Sequence, residues 1–206
     1  MNITICGSGN VGRALGMGWK KAGHSVTFAA REPNGAKAAE LKKDGYAVAP
    51  QAEAATGADV IVLATPWDAT AATVHALGSL AGKIVVDATN PLTAKLDLAL
   101  GFTDSAGETV ARLASGAKVV KAFNTTGADN MANSKYPAGK VMMPVAGDDA
   151  EAKKVVMGLA SDLGFEPVDA GPLAMSRHLE PMAMVWIKLA YAQGLGREFA
   201  FAILKR

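Results

Sequence analysis

MNITICGSGNVG, Met1 to Gly12, is an apolar run that breaks into a glycine-rich turn, and its reading decides the fold. Ile3, Ile5 and Cys6, with Thr4 between them, suit a short strand buried on both faces, as in a parallel sheet covered by helices. Gly7, Gly9 and Gly12 follow at once in the spacing G-x-G-x-x-G. In that arrangement the first glycine makes the tight turn, the second lets backbone approach a pyrophosphate, and the third lets helix and strand pack closely. Val11 to Ala22 then reads as a helix whose free N–H groups and positive dipole end face the phosphates. A glycine triplet alone also suits a flexible loop. Here it closes one strand, opens a helix and leads through Gly23 and His24 to a second strand, Ser25 to Ala30, which makes it a dinucleotide site.

The end of the second strand bears on which dinucleotide is held. An NAD-binding unit usually carries Asp or Glu there, about 20 residues beyond the glycines, on the ribose 2′-hydroxyl. This chain has Ala29, Ala30 and Arg31. Arg31 can pair in bidentate fashion with a 2′-phosphate and stack on the adenine, which favours NADP(H), and Lys37 adds a second cation. Glu32 opposes that reading unless its carboxylate turns to solvent.

Further along, Asn34 to Lys43 reads as a helix closed by Gly45, Tyr46 to Ala49 as a third strand, and Gln51 to Thr56 as one or two helical turns. Asp59 to Pro66, DVIVLATP, is a central fourth strand that brings Thr65, Pro66 and Trp67 beside the cofactor, since ligands bind at strand carboxyl ends in such sheets. Asp68 is the expected N-cap of a helix to about Leu80. Lys83 to Leu92, KIVVDATNPL, is a fifth strand with Asn90 and Pro91 lining the cleft. Thr93 to Ser105 reads as a loop able to cover the site, and Glu108 to Ala114 as a helix. The sixth strand, Lys118 to Phe123, ends in Asn124, Thr125, Thr126 and Gly127, a small polar cluster placed to surround a nicotinamide ring, and Ala128 to Asn133 begins a helix. Val141 to Ala146, a helix from Ala150 to Leu163 capped at Asp148 and Asp149, and a strand Phe165 to Val168 complete the pattern. Beyond Gly171 and Pro172, Arg177 to Tyr191 reads as a buried helix that caps the cleft or forms the seam of a homodimer.

With 206 residues the chain suits one domain with an appendage, divided here as 1–172 and 173–206. A net charge of +2, no block of like charge and 6% aromatic residues argue against a nucleic-acid partner. No apolar run approaches the ~18 residues of a membrane span. Met1 leads straight into a strand, with no room for a signal peptide. The single cysteine, Cys6, has no internal disulfide partner, so the expected compartment is the cytoplasm. His24, His75 and His178 are isolated, and no metal site is expected. No general acid or base declares itself, although Lys121 and His178 are placed where either could face the cleft.

Several segments together resemble a known family: GSGNVG at Gly7 to Gly12, ATPW at Ala64 to Trp67, KIVVDATNPL, KVVKAFNTTGADNMAN, VAGDDAEAKKVV and PVDAGPLAMSRHLE. The chain is similar to the NADPH-dependent reductases of the deazaflavin coenzyme F420, and to the cytoplasmic domains of six-transmembrane ferrireductases. The resemblance implies a Rossmann-type, doubly wound α/β domain with a mainly parallel sheet and a small helical C-terminal part. It implies NADP contacts at Ser8, Gly9, Asn10, Val11, Ala30, Arg31, Trp67, Ala71, Leu92 and Ala128, and a second ring system, deazaflavin or flavin, on the nicotinamide. Ala30 replaces the family's serine, and FNTTGA at Phe123 to Ala128 and the end from Gly194 depart from its usual sequence. These departures leave the acceptor unassigned. The expected activity is hydride transfer from NADPH to a flat small-molecule acceptor; the alternatives are reduction of a small carbonyl or imine, which needs a general acid, and a non-catalytic NADP-binding module.

Overall fold

The computed structural model describes residues 1–206. Its elements alternate: β1 (Asn2–Cys6), α1 (Asn10–Lys21), β2 (Ser25–Ala30), α2 (Ala36–Lys43), β3 (Ala47–Pro50), α3 (Gln51–Ala54), β4 (Val60–Leu63), α4 (Trp67–Ala76), β5 (Ile84–Asp87), α5 (Ala106–Leu113), β6 (Lys118–Lys121) and α6 (Ala128–Ala132). A small ribbon, β7 (Lys135–Tyr136) and β8 (Gly139–Lys140), precedes β9 (Met142–Gly147), α7 (Ala150–Asp162), β10 (Glu166–Gly171) and α8 (Ser176–Ile187). Eight strands form one sheet in the order β10-β9-β6-β5-β4-β1-β2-β3. The order reverses direction at β1, which makes the sheet doubly wound and puts a crevice at the carboxyl ends beside it. Pairing is parallel except between β6 and β9.

The continuous Val and Ile runs are buried on both faces because helices cover both. Val60 and Val62 of β4 join Ile3, Ile5, Leu15, Trp19 and Val156 on one side. Ile61 and Leu63 join Val74, Leu77, Val85 and Val110 on the other. No helix is long and apolar enough to cross a membrane.

Three local readings need correction. Pro66, and not Asp68, is the N-cap residue of α4, whose missing N–H costs nothing at a helix start; Asp68 sits in the first turn, and the helix stops at Ala76 before Gly78. At α5 the chain enters the helix earlier than expected. The Ser105 hydroxyl is its N-cap, accepting from Glu108 N and donating to the Glu108 carboxylate. Third, the last helix is buried on one face only. Leu179, Ala183 and Trp186 point inward while Val185 is half exposed, and the helix ends in a π-turn, Lys188–Ala192, before an extended tail.

Helix α1 lies so close to β1 that glycine is required at Gly12, where a methyl group would stand 1.9 Å from the Gly7 carbonyl oxygen. Gly9 meets nothing within 4 Å. Gly12→Ala is therefore expected to lower stability by about 3 kcal/mol, as overpacking does against backbone that cannot yield. Gly9→Ala should leave it within about 0.5 kcal/mol. Urea unfolding of the two variants beside the unchanged protein measures the contrast.

Candidate functional site

Strand register assembles the site. Cys6 pairs with Leu63, Leu63 with Asp87, and Asp87 with Lys121, so the segments that follow emerge side by side at one edge of the sheet. These are the glycine turn, Thr65 to Trp67, Asn90 to Leu92 and Asn124 to Ala128. On the other side of β1, Cys6 pairs with Ala29, which brings Ala30 and Arg31 next to the same turn.

In the turn, Gly7 has φ +116°, and a side chain there would press on the Ala64 carbonyl at 2.2 Å. The N–H groups of Gly9, Asn10, Val11 and Gly12 donate no hydrogen bond within the protein. No acidic residue or side-chain cap occupies the first turn of α1. Four orphan donors at a helix N-terminus, fronted by open space at Gly9, form a cradle for an anion. The residues thus fit the pyrophosphate of a dinucleotide.

At the end of β2, Arg31 and Lys37 are exposed and have no acidic partner. The Glu32 carboxylate leans over Gly35, 3.1 Å from where a side chain there would begin, and makes no ion pair with Arg31. The acids of α2, Glu40 and Asp44, are held instead by Arg13. One unpaired cation, Arg31, thus stands next to the glycine turn, and a second, Lys37, follows in the first turn of α2.

Two side-chain networks underlie the other segments. In the first, the Thr65 and Thr70 hydroxyls share a hydrogen bond of 3.0 Å at the start of α4. Asn90 donates to the Asn124 carbonyl at 3.0 Å, while the Asn124 amide donates to Asn90 Oδ1 and to the Leu179 carbonyl of α8. The second network is ionic and sealed. Lys121 Nζ lies 2.8 Å from Asp87 Oδ2, 2.8 Å from Glu180 Oε1 and 2.6 Å from the Thr89 carbonyl, with none of its surface exposed. Asp87 Oδ1 accepts from both the N–H and the hydroxyl of Thr89. Glu180 also takes the N–H groups of Ala106 and Gly107 at the start of α5. Burial pushes the Glu180 carboxyl above the usual carboxylate range, with Lys121 and the Ala106 N–H pulling it back.

Lys121 is thus shut away from any cleft, with its three protons spent on three acceptors. His178 is exposed on α8. His24 bridges the N-terminal amine and Asp162, a structural role. Cys6 is fully buried and its thiol is pushed up to about 12 by desolvation, so it stays protonated and inert. Of the other sequence-predicted residues, Ala71 lies exposed on α4, while Thr125 and Thr126 are buried beneath the sixth-strand turn. Sequence reasoning passed over Asp87, Thr89, Glu180 and Arg13. The available signal was a charge placed within an apolar run, as in IVVD, KVVK and HLEPMA, because a charge buried there demands a partner.

Comparison with known proteins shows the family. Residues 2–91 match the family model described as NADP oxidoreductase, coenzyme F420-dependent. The chain is 30% identical to the F420-dependent NADP reductase of Methanothermobacter marburgensis, with 92% of each chain covered. The chain belongs to this reductase family. A crystal structure from Arthrobacter sp. FB24, of a protein proposed to be an F420-dependent NADP reductase, matches at a TM-score of 0.91 and 34% identity over the whole of both chains. The metalloreductase STEAP3 of Rattus norvegicus is 31% identical over 182 residues, 88% of this chain and 36% of that longer relative. The chain therefore spans about a third of the rat protein. In the reductase fold, the match to the family model ends at Pro91, so it includes the glycine turn and the Arg31 segment.

The buried triad makes its own prediction. Lys121→Met leaves Asp87 and Glu180 facing each other without a counter-charge, and the expected loss is about 3–5 kcal/mol. Glu180, already raised by burial, would then lose the cation that pulls it back and titrate higher still in the folded state than in the unfolded chain. The folded variant takes up protons first, so its deficit should shrink as pH falls from 7 toward the carboxylate range. Urea denaturation at several pH values reads both effects; a deficit that grows on acidification would contradict the pairing.

Proposed function

We propose that this chain passes a hydride between NADPH and a flat redox acceptor of the flavin or deazaflavin class. The observation that carries the reading is the run of four unpartnered N–H groups from Gly9 to Gly12 beside the unpaired Arg31, with Lys37 following in the first turn of α2. The first feature suits a pyrophosphate and the second a ribose 2′-phosphate. The M. marburgensis relative is named for NADP and coenzyme F420, which supports the same pairing.

Bound in this way, the nicotinamide supplies the hydride, and the protein has to hold and shield it. Gly7, Ser8, Gly9, Asn10, Val11 and Gly12 would cradle the pyrophosphate. Ala30, Arg31 and Lys37 would hold the 2′-phosphate and adenosine. Thr65, Pro66, Trp67 and Ala71 on one side, and Asn90, Leu92, Asn124 and Ala128 on the other, would line the path to the nicotinamide. The Asn90–Asn124 pair fixes two loops to each other and, through the Leu179 carbonyl, to α8. Such a pocket acts by positioning. Sealing of Lys121 removes one proton donor that carbonyl or imine reduction could have used, which favours ring-to-ring transfer. The reading includes a homodimer through the exposed apolar side chains Val185, Tyr191 and Leu195, and residence in the cytoplasm.

Calorimetric titration tests the cofactor. Arg31→Asp should weaken NADPH by about 2 kcal/mol or more, as loss of a charge-assisted pair with added repulsion does, and leave NADH nearly unchanged. Equal losses for both nucleotides would remove Arg31 from the 2′-phosphate.

Acceptor and mechanism are tested together by NADPH oxidation against flavins, a deazaflavin, quinones, carbonyls and imines. Deuterium at the transferred position of NADPH should appear in the reduced acceptor and not in water. His178→Ala should lower turnover by less than about 10-fold, below the 10²–10⁴ of a lost general acid. A thousandfold drop with NADPH affinity preserved would favour carbonyl or imine reduction instead.

A further inference from the structure

Arg13 belongs to none of the groups assigned above, yet it is the one side chain that hydrogen-bonds into the glycine turn. It is the fourth residue of α1. Its Nε donates to the Ser8 carbonyl at 3.2 Å, its Nη1 to Asp44 Oδ2 at 2.9 Å and its Nη2 to Glu40 Oε2 at 3.0 Å. The Ser8 carbonyl receives no other hydrogen bond. Lys20, two turns further along α1, donates to the carbonyls of Asp44 and Gly45 and so pins the same end of α2. Arg13 is about one-third exposed, and ion pairs of that exposure contribute little to stability. Its placement therefore calls for another explanation.

The peptide between Ser8 and Gly9 supplies it. In a trans peptide the C=O and the following N–H point in opposite directions. Drawing the Ser8 oxygen toward Arg13 turns the Gly9 N–H the other way, and that N–H is the first of the four unpartnered donors. A free peptide at a glycine would sample both orientations, and one of them presents an oxygen to the phosphates. The two carboxylates of α2 brace the guanidinium, and α2 follows directly on the Arg31 segment.

We propose that Arg13 is a positioning residue for nucleotide binding: held by Glu40 and Asp44, it fixes the Ser8–Gly9 peptide so that the Gly9 N–H faces the pyrophosphate. This rests on the nucleotide reading given above. Arg13 reaches the ligand only through the turn, so its effect is blind to the 2′-phosphate. Arg31, by contrast, should separate NADPH from NADH.

Calorimetric titration of NADPH and NADH into the unchanged protein, Arg13→Met, Arg13→Lys and the triple variant Arg13→Met, Glu40→Gln, Asp44→Asn tests it, with the melting temperature of each nucleotide-free protein recorded alongside. Arg13→Met should weaken both nucleotides by the same factor, about tenfold, which is the scale of one lost fixed hydrogen bond. Arg13→Lys should recover part of the loss, and melting should change little. The triple variant should stay as weak as Arg13→Met. Unchanged affinity in Arg13→Met, a loss confined to NADPH, or recovery in the triple variant would each overturn the proposal, the last by showing that Arg13 only neutralises the acids. If the unchanged protein bound neither nucleotide, the nucleotide reading itself would fall; binding by the unchanged protein with no loss in Arg13→Met would sink this inference alone.

Discussion

The closeness of α1 to β1 is the constraint on which the rest of the site depends. Gly12 permits it, because a side chain there would meet the Gly7 carbonyl oxygen 1.9 Å away, and Gly7 lets the turn pass the Ala64 carbonyl beyond β4, which a side chain would meet at 2.2 Å. Gly16 continues the contact one turn later, where a methyl group would touch Phe28 at 3.0 Å. The helix is then held by burial of Leu15 and Trp19, with the Trp19 indole donating to the Leu159 carbonyl at 3.0 Å. Packing fixes the axis of α1, and with it the direction in which its unpartnered N–H groups point. Gly9 plays no part in that packing. Its smallness serves open space, which separates the residues that make the turn from the residue that leaves room for a ligand.

A second fixed point lies at the other end of the crevice. Lys121 joins the ends of β5 and β6 to α8, and Glu180 extends the link to the start of α5. With one cation and two anions, the cluster carries excess negative charge, and the N-terminal dipole of α5 offsets part of it. A buried cluster of this kind is a poor source of stability but a strict one of geometry, because each group left unpaired is costly. Here it specifies where α8 docks, and Leu179, next to Glu180, accepts from Asn124 in the pocket.

How much of this was legible follows from the range of each signal. The eight sheet strands and the glycine turn were readable because apolar runs of four to six residues, bounded by glycines, are local patterns. Arg31 was readable because its place at the end of β2 is counted from those glycines. The Lys121 cluster was not, since it joins residues 34 apart in Asp87 and Lys121, and Glu180 from another helix; no spacing rule links them. Arg13 fell to the same cause, its acids lying on α2. The reversal of β9 was hidden because strand direction depends on how the β7–β8 ribbon carries the chain back, and a two-residue strand has no period to detect. The Ser105 cap, with Glu108 three residues on, was present in the residues and was passed over.

The backbone after β6 shows where the fold spends strain. Phe123 is fully buried with φ +61°, a conformation that a bulky residue adopts at a cost of order 1–3 kcal/mol. Its ring packs edge-on against Trp19 at 5.5 Å and Phe165 at 6.4 Å, and its N–H points to Met143 Sδ at 3.1 Å. Those contacts hold the residue in place and turn the chain sharply, so that Asn124 reaches Asn90 while Gly127 receives the edge of Trp186. The strain therefore sets the position of the Asn124 amide and of Gly127 at the strand end. No acid or base is presented by that turn. Under the ring-to-ring transfer proposed above, a strained aromatic that sets the position of neutral groups would serve to hold two flat partners in register.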